Sequence, residues 1–234
     1  MKSERVNKKL IITIDGPAGA GKSTVSKILS ERLGYIYINT GAMYRVVALE
    51  SKRRNIDPGD EKGLAQVCSG LDISFGRKDG NLRVFSHGED VTEEINTPEM
   101  SLRASRVSAQ RVVRNAMAEL QRNIGRGGGV ILEGRDAGTV IFPQAQVKFY
   151  LDAALAERGR RRYKEIVVRN QKVELKQVIQ ETEKRDFDDS HRAFAPLRMA
   201  EDAVLIDSSE LTVEEVIDMM VQIIHTRYPS LLNN

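Results

Sequence analysis

Short apolar runs alternate along this chain with stretches whose apolar side chains recur every three or four residues. Lys9-Leu-Ile-Ile-Thr-Ile-Asp15 is a β-branched run that predicts a strand, and beyond the glycine-rich turn after it Val25, Ile28, Leu29 and Leu33 predict a helix from Ser23 that Gly34 stops. Tyr35 to Asn39 predicts a second strand and Gly41 to Arg53 a second helix. From about Asp60 to Glu94 the alternation breaks. Gly70, Gly76, Gly80 and Gly88 punctuate brief strands there, Leu71 to Phe75, Leu82 to Ser86 and a candidate third, the pattern of a small antiparallel insertion. From Pro98, with Thr97 as N-cap, one long helix is predicted that carries Leu102, Ser105, Val113, Met117 and Leu120.

Gly125 to Gly129 reads as a loop before the buried type of strand Val130-Ile-Leu132, and Gly134-Arg-Asp136 follows it. Val147 to Leu151 predicts a further strand, Ala156 to Val168 an arginine-dense helix, Asn170 a break, and Glu174 to Arg185 another helix. The last pair is the strand Ala203 to Asp207 and the helix Val213 to Arg227, opened by a capping box from Thr212 to Glu215. Strands alternating with helices specify an α/β fold, a parallel sheet with helices on both faces.

Composition narrows the class. The 234 residues are 41% hydrophobic and 29% charged, which suits a globular chain with one sizeable core and excludes disordered and collagen-like classes. No apolar run approaches the roughly 20 residues that span a bilayer, and Leu10 to Ile14 is shorter than a signal-peptide core of about 7 to 15, so a cytoplasmic location and no membrane partner are expected. One cysteine, Cys68, leaves no intrachain disulfide and no thiolate cage, and His87, His191 and His225 lack metal-ligand spacing. A net charge of +3, from 36 basic and 33 acidic residues, is too even to argue for a nucleic-acid partner.

The strongest chemical signal is Gly16-Pro17-Ala18-Gly19-Ala20-Gly21-Lys22-Ser23-Thr24, which satisfies G-x-x-x-x-G-K-[ST] between a predicted strand and a predicted helix. Its backbone N–H groups would cradle a phosphate chain, Lys22 would reach the terminal phosphates and the Ser23 hydroxyl would reach Mg²⁺, so ATP with Mg²⁺ is the expected ligand. The fold class is therefore a P-loop NTPase-type sheet. A guanine-reading N-K-x-D tetrapeptide is missing, since Glu183-Lys-Arg-Asp186 has the wrong first residue and lies on a predicted helix. Val130-Ile-Leu-Glu133 partly fits the metal-proximal strand of a mechanical ATPase, but the residues after it point elsewhere. A small-molecule kinase needs a second anion site, and arginines supply one.

Three further segments, taken with the cradle, resemble the bacterial-type cytidylate kinases of the nucleoside monophosphate kinase group. They are Asn39-Thr-Gly-Ala-Met-Tyr-Arg45, Glu133-Gly-Arg-Asp-Ala-Gly-Thr139 with Val-Ile-Phe-Pro143 after it, and Arg185-Asp-Phe-Asp-Asp-Ser-His-Arg192 with Ala-Phe-Ala-Pro-Leu197 after it. The likeness runs from about Leu10 to Val216 and includes the strand-rich insertion. It implies transfer of the γ-phosphoryl group of ATP to CMP or dCMP by a monomer. It also implies a single kinase domain over 1–234 with its core at about 9–59 and 125–227, a monophosphate-binding region at about 41–124 that includes an inserted subdomain at about 60–96, and a helical lid at about 156–172. Another monophosphate kinase, for UMP or a deoxynucleotide, and a P-loop regulatory or nucleic-acid-associated protein are the competing readings.

By this resemblance Arg45, Arg135 and Arg192 grip the acceptor phosphate, Asp189 holds the ribose, and Arg185 sits near the transferring phosphoryl group. Asp136, Ser105 and Arg114 read the base: a carboxylate can accept from the cytosine amino group, while uracil would turn a carbonyl toward it. Ser105 and Arg114 are nine residues apart, so sharing a ligand needs Arg114 to reach back or the helix to bend. Thr40 stands where other members have Ser, with the hydroxyl kept. In the lid, Arg158 and Arg162 share a helix face at i, i+4, and spacing does not choose among Arg158, Arg161 and Arg162. No general base is expected, because the nucleophile is a phosphate already mostly ionised at neutral pH, with a second pKa of about 6.

Overall fold

The computed structural model describes residues 9–78, 81–168 and 173–229; Gly80, the break at Asn170 and the end of the expected lid segment lie outside them. The chain divides into two compact units, one of residues 1–37 and 125–234, the other of residues 38–124. No helix among the described residues is long and apolar enough to cross a membrane.

The first unit is built on a five-stranded sheet ordered β2-β6-β1-β7-β8, from β1 (Ile11–Asp15), β2 (Ile36–Asn39), β6 (Val130–Gly134), β7 (Val147–Asp152) and β8 (Val204–Asp207). β1 runs parallel to both β6 and β7, pairing Ile14 with Glu133 and with Phe149, and β7 runs parallel to β8. Parallel strands covered on both sides read as unbroken apolar runs, which is why Val130-Ile-Leu132 is fully buried. Ile12, Ile14, Phe149 and Leu151 share one core with Leu29 of α1 (Lys22–Leu33) and with Ile217 and Met220 of α9 (Val213–Arg227). Gly34 closes α1 in the left-handed conformation, and the expected capping box opens α9.

Two helices of this unit carry functional segments. α7 (Leu155–Val168) lies so close to α8 (Leu175–His191) that a Cβ at Gly159 would stand 2.4 Å from the Ile179 side chain. α8 continues past Arg185, where the sequence pattern ended it, so that Asp186 and Asp189 project from a helix. After β6 comes a π-type turn at Ala137–Ile141, closed by Phe142 N–H donating to the Ala137 carbonyl at 2.8 Å, a form that periodicity does not anticipate.

The second unit holds α2 (Thr40–Arg53), α3 (Glu61–Ser69), an antiparallel sheet of β3 (Ile73–Lys78), β4 (Asn81–Ser86) and β5 (Glu89–Asp90), α4 (Thr92–Ile95), α5 (Pro98–Ser108) and most of α6 (Arg111–Gly125). The insertion therefore opens with a helix as well as containing strands. The Asp60 side chain caps α3 by accepting from Lys62 and Gly63 N–H at 3.1 and 3.0 Å, and Leu64 and Val67 are fully buried. The single long helix expected from Pro98 is two helices. Gln110 N–H closes onto Val107 at 3.1 Å instead of continuing the α pattern, and the Ser108 carbonyl accepts from the Arg114 guanidinium at 3.1 Å. The Arg114 side chain turns back across this break to Ser108.

Because the α3 cap is the local signal that sets that helix, Asp60→Ala is expected to cost about 1 kcal/mol of stability. A lower urea midpoint at unchanged slope is the measurement; an unchanged midpoint would mean that packing alone fixes α3.

Candidate active site

β1, the central strand, delivers the chain to Gly16 just past its C-terminal end, and the next turn leaves no room for side chains. A Cβ on Gly16, at φ 146°, would stand 1.9 Å from the Leu151 carbonyl oxygen, and one on Gly19, at φ 78°, would stand 2.8 Å from that of Arg158. The loop wraps tightly and ends at Gly21, which gives α1 no side-chain cap. The first amides of α1, with the positive end of its dipole, are thereby left for an anion.

Lys22, the first residue of α1, is 7% exposed and its Nζ donates to the Pro17 carbonyl at 2.6 Å. Burial, then the neighbouring Arg135 cation, pushes this ammonium well below the ordinary lysine value, with Arg185 adding to the effect and Glu133 and Asp15 opposing it. Ser23 Oγ donates to Glu133 Oε1 at 2.8 Å, and the Tyr37 hydroxyl donates to the same oxygen at 2.8 Å. Glu133 is 5% exposed and sits beside Ile14 in the sheet register, so the strand end whose fit was only partial in sequence lies against the cradle.

Around the cradle, arginines are held by carboxylates from α8. Asp189 accepts from Arg135 Nε at 2.8 Å and from Arg192 Nη1 at 3.3 Å, and Arg192 Nη2 lies 3.6 Å from Asp136 Oδ1. Burial alone would raise Asp189, but Arg135, Arg185 and Arg192 outweigh it and hold the carboxyl below its ordinary value. Arg192 Nε also donates to the Ala195 carbonyl at 2.6 Å. Four of the eight residues assigned to CMP, namely Arg135, Asp136, Asp189 and Arg192, thus form one connected set.

The three arginines of α7 occupy different surroundings. Arg158 is 7% exposed: it donates to the carbonyls of Ala153 at 2.8 Å and Ala18 at 3.0 Å and pairs with Asp186, whose other oxygen accepts from Ala18 N–H at 3.1 Å. Arg161 donates to the Ser208 carbonyl at 2.6 Å, and the Ser208 hydroxyl reaches the Ala20 carbonyl at 3.3 Å. Arg162 pairs with Glu165 at 3.0 Å near the surface. Asp186 and Ser208 shape the loop, a role no motif announces; their partners are 168 and 188 residues away, beyond the reach of any local pattern.

The other four residues assigned to CMP lie in the second unit. Thr40 is buried at the start of α2, Arg45 Nη2 donates to Asn96 Oδ1 at 3.3 Å, and Ser105 is exposed on α5. Arg114 is 6% exposed and stacks over the Tyr44 ring at 5.4 Å.

The sequence profile of the family described as Cytidylate kinase matches residues 12–226. A cytidylate kinase of Geobacter sulfurreducens is 53% identical over 218 residues, covering 93% of this chain and 94% of the relative. One from Lactobacillus johnsonii is 42% identical over 227 residues, covering 97% and 99%. Among solved structures, shikimate kinase from Bacteroides thetaiotaomicron superposes with a TM-score of 0.51 at 12% identity over 92% of this chain and 98% of that one, a likeness of fold.

One buried acid joins the cradle to the arginine turn. Asp15, 4% exposed, accepts from the N–H groups of Ala137 at 2.9 Å and Gly138 at 2.7 Å, directly after Arg135 and Asp136. Burial pushes it from 3.8 up to about 6, although those two N–H groups pull it down. The native protein therefore binds this proton more tightly than the unfolded chain. The associated stabilisation is complete below pH 3.8 and is lost as pH rises through about 6. Asp15→Asn is expected to remove up to about 3 kcal/mol of that fall in stability between pH 4 and 7. Urea unfolding of both proteins across that range checks it, and parallel curves would refute it.

Proposed function

The chain belongs to the cytidylate kinase family, and from that footing we propose how its residues divide the labour of the reaction. It transfers the γ-phosphoryl group of ATP to CMP or dCMP, giving CDP or dCDP and ADP. The observation that carries the assignment of residues is the set of arginines held beside the cradle, Arg135 and Arg192 on Asp189, next to a Lys22 whose proton affinity is lowered first by burial and then by the Arg135 and Arg185 cations. Such a concentration of cations is costly until phosphate oxygens enter it, and it suits a transition state whose charge spreads over peripheral oxygens.

In this reading the loop amides and Lys22 hold the donor phosphates, and Arg185 faces the transferring group. Arg135 and Arg192, with Arg45 from the second unit, hold the acceptor phosphate. Asp189 orients the first two of these; a carboxylate has about four acceptor positions, which leaves room for a ribose hydroxyl. Asp136 reads the cytosine amino group, with Arg114 and Ser105 serving the remaining base edge. Arg158 touches the loop through Ala18 and Asp186, and of Arg158, Arg161 and Arg162 we read the most exposed, Arg162, paired with Glu165, as the one that swings over bound ATP. Closure by that segment would keep water from intercepting the phosphoryl group.

Ser23 and Glu133 present a hydroxyl and a carboxylate 2.8 Å apart, hard oxygen donors of the kind Mg²⁺ takes in one or two copies beside phosphate oxygens and water. Among the described residues no group of three His, Cys, Asp or Glu forms a closed metal cage, so the donor set fits an ion that arrives with ATP. When bound there, Mg²⁺ would offset charge on the phosphates. We further read the protein as a cytoplasmic monomer acting on free nucleotides, with no nucleic-acid partner.

A coupled ADP-release assay across CMP, dCMP, UMP, AMP and GMP tests the substrate class; turnover led by any but the cytidine nucleotides would overturn it. Lys22→Ala should lower kcat by at least about a hundredfold while CMP affinity by calorimetry changes by less than about threefold, because donor and acceptor are held by separate segments. A large loss of CMP affinity would refute that division. Asp136→Asn should narrow the CMP to UMP ratio in kcat/KM by tenfold or more, on the order of 1.4 kcal/mol, since an amide can donate to uracil where a carboxylate only accepts. If the ratio stays within about twofold of the parent, under roughly 0.5 kcal/mol, another residue reads the base.

A further inference from the structure

The insertion between α2 and α5 is stitched to α2 by side chains that touch no nucleotide-binding motif. Glu50, buried on α2, accepts from Ser86 Oγ of β4 at 2.9 Å. One turn on, Arg53 donates to both carboxylate oxygens of Glu89 at 2.8 and 3.1 Å and to both of Glu94 at 2.9 and 3.1 Å. A planar guanidinium can serve two carboxylates in this way, and an ammonium cannot. Within the insertion, Val84 N–H donates to Thr92 Oγ1 at 2.9 Å and Arg83 to Glu93 at 3.0 Å, so β4, β5 and α4 hang together on the end of α2.

This stitched body ends at Asn96. Its Nδ2 donates to the Thr92 carbonyl at 2.9 Å, which fixes the amide and turns Oδ1 toward Arg45, whose Nη2 donates to it at 3.3 Å. Arg45 stands eight residues before Arg53 on the same helix, about 12 Å along its axis. The insertion thus leaves α2 at its C-terminal end and touches it again near its middle. The acceptor is an amide oxygen whose direction the Thr92 carbonyl sets, so the contact can aim one end of the Arg45 fork.

We propose that Asn96 is a positioning residue for Arg45, and that the contribution of the insertion to the reaction is to present it. The proposal rests on the reading of Arg45 as an acceptor-phosphate arginine. Asn96 is exposed, so its replacement leaves no buried group stranded.

The test is a double-mutant cycle of Asn96→Ala and Arg45→Ala in the full chain, read as KM for CMP, KM for ATP and urea midpoint. Asn96→Ala is expected to raise KM for CMP roughly three- to tenfold, the scale of one ordinary net hydrogen bond, with KM for ATP and the midpoint unchanged. In the Arg45→Ala background the same change should add nothing. If Arg45→Ala weakens CMP and Asn96→Ala does not, the positioning role is wrong and the reading of Arg45 stands. An Asn96→Ala effect of equal size in both backgrounds, or one that moves KM for ATP and the midpoint as much, also overturns it. If Arg45→Ala leaves CMP unaffected, the reading of Arg45 itself is wrong.

Discussion

Arg135 and Arg192 share one carboxylate, Asp189, and the first unit gathers its other cations near the cradle on buried or half-buried acids in the same way. Burial lowers the proton affinity of Lys22 and the Arg135 and Arg185 cations lower it further, so gathering cations here costs energy, and the compensation comes from carboxylates that are themselves buried or half-buried. Glu133 opposes the charge on Lys22, Asp189 spans Arg135 and Arg192, and Asp186 takes Arg158 together with the Ala18 amide. Each acid touches two partners. Removing any one of them would therefore weaken the hold on a cation and also release a backbone amide, a hydroxyl or a second arginine.

Elements with a self-contained local signal were legible in the sequence: the β-branched runs that became β1, β6 and β7, the Gly34 stop, the Thr212 capping box, and the cradle, whose glycines and lysine announce their own geometry. Where the signal was brief or depended on distant partners the reading fell short. α3 is nine residues long with Gly63 inside it, so only Leu64 and Val67 mark its buried face. The break between α5 and α6 has no glycine or proline; it is held by the Ser108 carbonyl and the Arg114 side chain, a tertiary contact that spacing cannot encode.

The same distinction separates the site residues. Arg45, Arg135, Asp136, Asp189 and Arg192 were reached through a family resemblance, since an arginine in sequence looks alike whether it grips phosphate or faces solvent. Asp15, Glu133, Asp186 and Ser208, which hold the motifs in place, were passed over or assigned no role. A carboxylate at a strand end reads as the start of a turn, and only the fold reveals that Asp15 accepts from amides 122 and 123 residues away. Residues that contact ligand are written in motifs; residues that position them are written in topology.

That division has a consequence for how a strongly cationic site can still be selective. An arginine held by a carboxylate has its fork oriented in advance, so less of its roughly 2 kcal/mol of side-chain entropy remains to be lost when phosphate arrives. The opposing charge also lowers the field that an arbitrary anion would feel. Asp189 does both for Arg135 and Arg192, which biases this half of the site toward a ligand that matches the preset geometry over one that merely carries charge. Arg135 and Arg192 therefore meet any anion already aimed, and the carboxylate that aims them also sets how much net charge a mismatched anion would feel, so orientation and selectivity come from one residue.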